Sequence, residues 1–230
     1  MNQKIAQNLK KVSNQINKKK EPGQEVRLVA VTKTRPPEQI SAAIEAGVFS
    51  IGENRVQEAE LKFPEITQIN RVEKRLIGQL QSNKIKKAIR LFDTIDSVDS
   101  IRLAEKISKA AATIKKTQRV LIQVNTSEEK TKGGFKSRDI EEMLLCFKHN
   151  NIKIEGLMTI GPTKPDYNKR KKAFQSLKEL FTKINRRLPQ DKKMTEISMG
   201  MSGDFELGVE SGSTMVRVGT AIFGKRETVA

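Results

Sequence analysis

Ile5, Leu9, Val12 and Ile16 recur at steps of three and four residues, which predicts an amphipathic helix over 3–19. Glu21-Pro22-Gly23 stops it. The run 26–31 then reads as a short buried strand. Pro36-Pro37 suits the first turn of a helix whose apolar stripe is Ile40, Ala43 and Ile44, and Gly47 stands where a C-terminal cap belongs. The same alternation repeats down the chain. Further strands are predicted at 48–51, 75–77, 92–95, 120–124, 152–158, 194–197 and 215–218. Helices are predicted at 53–61, 82–91, 98–112, 137–149, 167–188, 204–209 and 220–223. Eight strand–helix units in 230 residues predict an α/β chain forming one (β/α)8 TIM barrel, with a leading helix over 1–22 and the barrel over about 26–226. An open doubly wound sheet is the alternative, but no Gly-x-Gly-x-x-Gly turn follows the first strand.

Charge alters the picture less than its size suggests. The chain has 44 Lys+Arg against 27 Asp+Glu, a formal net charge of +17. Residues 1–20 hold six Lys and no acid, and 161–200 hold eleven Lys+Arg and four acids, so +6 and +7 of that excess fall in two segments. Trp is absent, Tyr167 is the single Tyr, and no zinc spacing or RNA-binding signature accompanies the basic runs. Solvated helix faces therefore explain them better than nucleic acid. Cys146 alone excludes an internal disulfide and fits a reducing compartment. No stretch approaches the apolar length of a membrane span, and 1–20 has no apolar signal core, so a cytoplasmic chain with no membrane partner is expected.

In a barrel, chemistry belongs to the loops that follow the strands. The small residues Ser198-Met199-Gly200-Met201-Ser202-Gly203-Asp204 and Gly219-Thr220 follow the last two predicted strands. Barrels often bind phosphate there, with loop N–H groups and the start of a short helix. Ser202 and Thr220 add hydroxyls, and Gly200, Gly203 and Gly219 permit close backbone approach; ordinary tight turns are the plainer reading. Lys33 follows the apolar first strand, and a desolvated lysine amine there can attack a carbonyl to form a Schiff base. A phosphate site and such a lysine in one barrel match what pyridoxal 5'-phosphate requires.

The runs Val29-Ala30-Val31-Thr32-Lys33, Gly52-Glu53-Asn54-Arg55-Val56-Gln57-Glu58, Gly156-Leu157-Met158 and Gly200-Met201-Ser202-Gly203-Asp204-Phe205, with those over 77–84 and 212–224, closely resemble the pyridoxal phosphate homeostasis protein family. The resemblance spans roughly 26–226 and implies a barrel like the corresponding half of bacterial alanine racemase. It implies a cofactor, pyridoxal 5'-phosphate, held without established catalysis in vitamin B6 and amino-acid homeostasis. It implies that Lys33 carries the aldimine and that Ser202, Gly219 and Thr220 hold the phosphate. It further implies that Asn54 and Met158 line the pocket and that Arg217 stands beside the pyridine nitrogen. Arginine cannot accept a proton there, so the ring is a weaker electron sink. One departure is Lys74-Arg75-Leu76, where many relatives carry His or another aromatic before Ile-Gly.

Two other functions compete. A racemase needs a second proton-transfer group opposite the lysine, and Tyr167 stands in a polar, Pro-flanked context after the sixth strand. A binder of nucleic acid or acidic partners would rest on the basic segments alone. The sequence suggests no metal site. Expected partners are pyridoxal phosphate and the apo-enzymes that need it, and the expected state is a monomer or weak dimer. Gly133-Gly134 after 126–132 suggests a mobile loop, with Lys132 a solvated lysine or a second cofactor contact. His149 is expected at a helix C-terminus, and Cys146 in packing on the same helix.

Overall fold

A computed structural model describes residues 2–129, 131–163 and 166–225. Nine helices, α1 (Asn2–Lys19), α2 (Pro37–Glu45), α3 (Val56–Lys62), α4 (Ile85–Leu91), α5 (Ile101–Thr113), α6 (Ile140–Cys146), α7 (Tyr167–Arg187), α8 (Phe205–Glu210) and α9 (Thr220–Phe223), are found among them. The strands are β1 (Arg27–Val31), β2 (Ser50–Glu53), β3 (Glu73–Leu76), β4 (Thr94–Val98), β5 (Gln118–Asn125), β6 (Phe135–Lys136), β7 (Ile152–Met158), β8 (Glu196–Met201) and β9 (Met215–Val218). The sheet runs β4-β3-β2-β1-β9-β8-β7-β5 and closes through a β4–β5 pairing, while β6 is an added parallel stub on β5. This is the expected (β/α)8 barrel with an extra N-terminal helix. Met1 and residue 226, at the outer limits expected for the leading helix and the barrel, lie outside the described residues.

Alternation along each strand divides the barrel into two layers. Ala30, Ile51, Leu76, Ile95, Val120, Ile122, Ile197, Val216 and Val218 pack with the helices in one apolar cluster. Their neighbours Gly52, Arg75, Asp96, Leu121, Ser198 and Arg217 therefore face the axis, and all of these except Leu121 and Gly52 are polar. Helix α1 adds Ile5, Leu9, Val12 and Ile16 to the outer cluster, each burial worth about 1.5–3 kcal/mol. It touches α2, α8 and α9 and so spans the seam where β1 meets β9.

Several predicted boundaries move. The strand expected at 194–197 begins at Glu196 and runs to Met201, through Ser198 and a bulge at which Gly200 takes φ 97°. The strand expected at 48–51 is Ser50–Glu53, and the one expected at 92–95 is Thr94–Val98. At β4 and β8 the inward-facing Asp96 and Ser198 interrupt the apolar pattern, and β2 runs on through Gly52-Glu53, which has no apolar residue. Helix α5 starts at Ile101, not 98, because Ser100 caps it by accepting from Leu103 N–H at 3.3 Å. Helix α6 starts at Ile140, not 137, where the Asp139 carboxylate accepts from Lys136 N–H and holds a turn ahead of it. It ends at Cys146, and the His149 N–H donates to the Cys146 carbonyl.

Candidate functional site

Parallel strands point their C-terminal ends to one rim, and every residue named from the sequence as a site candidate stands there. Lys33 lies two residues beyond Val31 of β1, Asn54 follows β2, Met158 ends β7, Ser202 follows β8, Arg217 is in β9, and Gly219-Thr220 follow it. Those elements are contiguous in the sheet, in the order β2-β1-β9-β8-β7. The candidates thus share one side of the mouth.

Ser202 is the centre of the first group. Its Oγ accepts from Gly219 N–H at 3.0 Å and from Ala221 N–H at 3.5 Å, so a hydroxyl and two backbone donors converge at the start of α9. Gly219 has no room for a side chain, since a Cβ would lie 3.2 Å from Val31. At Gly203 a Cβ would meet nothing within 4 Å, which leaves open space beside Ser202. Backbone N–H groups, a hydroxyl and free volume are the donor set that an anion such as phosphate requires.

Arg217 is the second. It is 4% exposed; Nη1 donates to Ser198 Oγ at 2.6 Å and Nη2 to the Thr159 carbonyl at 2.7 Å. Thr159 is itself held, donating from Oγ1 to the Val124 carbonyl at 2.8 Å and standing 2.9 Å from Thr126 Oγ1. Burial pushes the Arg217 guanidinium down to about 10, with Asp96 and Asp204 opposing that shift. It stays a cation and a donor at neutral pH. Met158, the neighbour of Thr159, is fully buried.

Beneath Arg217 lies a charged floor. Arg75 donates from Nε to Asp96 at 2.9 Å, from Nη1 to Glu73 at 2.9 Å and from Nη2 to Glu196 at 2.9 Å. Glu196 opens β8, two residues before Ser198, which places this cluster one step deeper than Arg217. Burial opposes the Arg75 charge, but Asp96 and Glu196 outweigh it and raise its affinity for the proton. Arg75 thus belongs to an ionic plug, and the cation needs the acids around it.

Lys132 is not solvated. Its Nζ donates to the Gly161 carbonyl at 2.6 Å and pairs with Glu129 at 2.9 Å, tying the β5 loop to the β7 loop. Tyr167 is the first residue of α7 and 59% exposed. Thr159, one partner of Arg217, went unrecognised in the sequence, and Ser198, the other, was expected in the small-residue loop after the strand, whereas it stands inside β8. Among the described residues no group of three or more His, Cys, Asp or Glu could hold a metal ion, and no helix is long and apolar enough to cross a membrane.

Known proteins resemble this chain over nearly its whole length. Residues 2–227 match the family described as "Alanine racemase, N-terminal domain". A pyridoxal phosphate homeostasis protein of Vibrio alginolyticus is 37% identical over 231 residues, covering 97% of this chain and 98% of that protein. The structure of PipY from Synechococcus elongatus PCC7942, solved with PLP bound, is 35% identical, with a TM-score of 0.85 over 96% of this chain and 100% of that one. An alanine racemase of Clostridium difficile 630 has a TM-score of 0.78 at 18% identity and shares the fold alone; the match covers 97% of this chain and 58% of the racemase.

Proposed function

The chain belongs to the pyridoxal phosphate homeostasis protein family, and on that premise we propose that it binds pyridoxal 5'-phosphate at the barrel mouth as a cofactor reservoir and carrier. One observation carries the reading: three contiguous strands, β1, β9 and β8, bring Lys33, Arg217 and the Ser202–Gly219–Thr220 group to one side of the mouth. The whole chain acts as one domain in this reading. When bound, the cofactor supplies an aldehyde that an amine can take and a ring that accepts electrons.

The chain's own groups have separate tasks. Lys33 offers the amine and holds the cofactor covalently. Ser202, Gly219 and Thr220 hold the phosphate: the Gly219 and Ala221 N–H groups fix Ser202 Oγ, whose own proton is free for the anion, and Thr220 closes that site with its hydroxyl. Asn54 and Met158 form the walls. Arg217 donates to the ring nitrogen and cannot take a proton from it, which keeps the ring a poor electron sink. A racemase would add a second proton carrier opposite Lys33, and the single tyrosine is far too exposed at the head of α7 to be shaped for that role. We therefore read the chain as a non-catalytic protein that stores pyridoxal phosphate and yields it to apo-enzymes, like the homeostasis role its relatives are named for.

The test is optical and chemical. Purified chain mixed with pyridoxal phosphate should gain a visible absorbance band, and borohydride should fix the cofactor to the peptide containing Lys33. Lys33→Ala should show neither. A protein that stays colourless in excess cofactor would falsify the reading, and rapid exchange of an amino acid's α-proton would favour the racemase.

A further inference from the structure

We propose that Thr32, Glu53, Glu58 and Lys62 form a clamp that aims Lys33 into the barrel mouth, which makes them positioning residues for the cofactor lysine. This rests on the reading of Lys33 given above. The clamp grips the backbone on both sides of Lys33. On one side, Thr32 donates from Oγ1 to Glu53 Oε1 at 2.5 Å, and its carbonyl accepts from Lys62 Nζ at 3.0 Å. On the other, Thr34 N–H donates to Glu58 Oε1 at 2.5 Å. Thr34 has φ 60°, a left-handed backbone that a β-branched residue adopts only when its surroundings impose it. The Glu58 contact is what the turn offers as that restraint.

Lys62 joins the two halves. Its Nζ lies 2.6 Å from Glu53 Oε1 and 2.9 Å from Glu58 Oε1, so one cation serves both acids and the Thr32 carbonyl. The acids and the lysine all come from the β2–α3 unit next door. Their burial is costly: Glu53 is fully buried and the Lys62 side chain 8% exposed. Glu53 Oε2 is also buried with no hydrogen-bond partner among the described residues. Packing α3 against the barrel needs only an apolar residue at position 62. Replacing such a pair by apolar groups is often neutral or stabilising, so packing does not account for it. What the ion pair provides and a leucine does not is a second donor for the Thr32 carbonyl, beside the Arg35 N–H at 3.0 Å, and a fixed acceptor for Thr34.

The experiment uses the full chain freed of cofactor. Pyridoxal phosphate and borohydride are added, and the initial rate of trapping at Lys33 is read by peptide mass spectrometry, alongside the melting temperature. Glu58 is partly exposed, so Glu58→Ala should fold with a near-normal melting temperature and trap about tenfold more slowly, the loss of one charge-assisted hydrogen bond. Glu58→Gln keeps an acceptor for Thr34 N–H and should restore the rate. Should Glu58→Ala fail to fold, Thr32→Val, which removes the Oγ1 bonds to Glu53 and to the Gly52 carbonyl but leaves the charges in place, carries the same expectation. Trapping at the wild-type rate in the folded variant overturns the clamp while leaving the cofactor reading intact. Wild-type chain that traps nothing, or traps at another lysine, overturns both.

Discussion

Arg75 and Asp96 meet on the barrel axis with both side chains completely buried, the guanidinium Nε 2.9 Å from the carboxylate. Glu73 and Glu196 complete the ring around the same cation. Arg75→Met should therefore strand Asp96 and leave Glu73 and Glu196 with one cation each, Arg119 and Arg27, and cost about 3–5 kcal/mol in urea unfolding at neutral pH. The deficit has a pH signature. In the wild type, burial opposes ionisation of Glu73, but Arg75 and Arg119 prevail and hold its carboxyl below the usual range. That contribution is present above the unfolded value near pH ~4 and is lost as pH falls through the folded one. In the variant the stranded acids resist ionisation, so protonation relieves them and its deficit should narrow from pH 7 to pH 5. A deficit that widens on acidification would contradict the ionic plug.

Gly156 marks the tightest contact between strands. A Cβ there would lie 1.9 Å from the Glu196 carbonyl oxygen, in the β7–β8 ladder. Gly156→Ala must push apart strands that carry Met158 and Ser198, and a loss above ~4 kcal/mol is expected. Circular dichroism of the soluble fraction checks this; a variant melting like the wild type would show that the ladder yields.

Cys146 is fully buried, and burial pushes its thiol up to about 12. Only the thiolate reacts. A disulfide reagent at pH 8 should label it no faster than the protein unfolds, and at once in denaturant. Fast labelling of the native chain would place Cys146 elsewhere.

Arg217 links the mouth to β8 and β7 through Ser198 and Thr159. Arg217→Met should weaken pyridoxal phosphate binding about tenfold in equilibrium dialysis, with the lysine band retained. Since burial pushes the guanidinium down to about 10, its donation is complete at neutral pH and wanes as pH rises through that value. Unchanged affinity in the variant would remove Arg217 from the site.

The eight barrel strands and the barrel were legible because outward-facing residues such as Ala30, Ile51, Ile95 and Val216 lie in compact apolar runs, while the two-residue β6 was not. The family's last run, 212–224, and Lys33 pointed to the same rim. Strand frames at β2, β4 and β8 were less legible, since Gly52-Glu53, Asp96 and Ser198 read as loop although they lie within the strands. Ser198 and Thr159 act through single hydrogen bonds to a residue distant in sequence, and no periodicity records that. The pair Glu58–Lys62 has the spacing of an ordinary exposed helix pair. Only the fold reveals that Lys62 turns inward to Thr32.

The strands far apart in sequence, β1 and β9, lie side by side in the barrel, pairing Ala30 with Val218 and Val29 with Arg217. On a ribosome this means that β1, among the first segments made, waits for a partner synthesised nearly at the end. The strand that leads into Lys33 and the strand that carries Arg217 come together only when that pairing forms. Until β9 is made, β1 keeps an unpaired strand edge, so the slow step of folding is expected to be a contact between segments far apart in sequence.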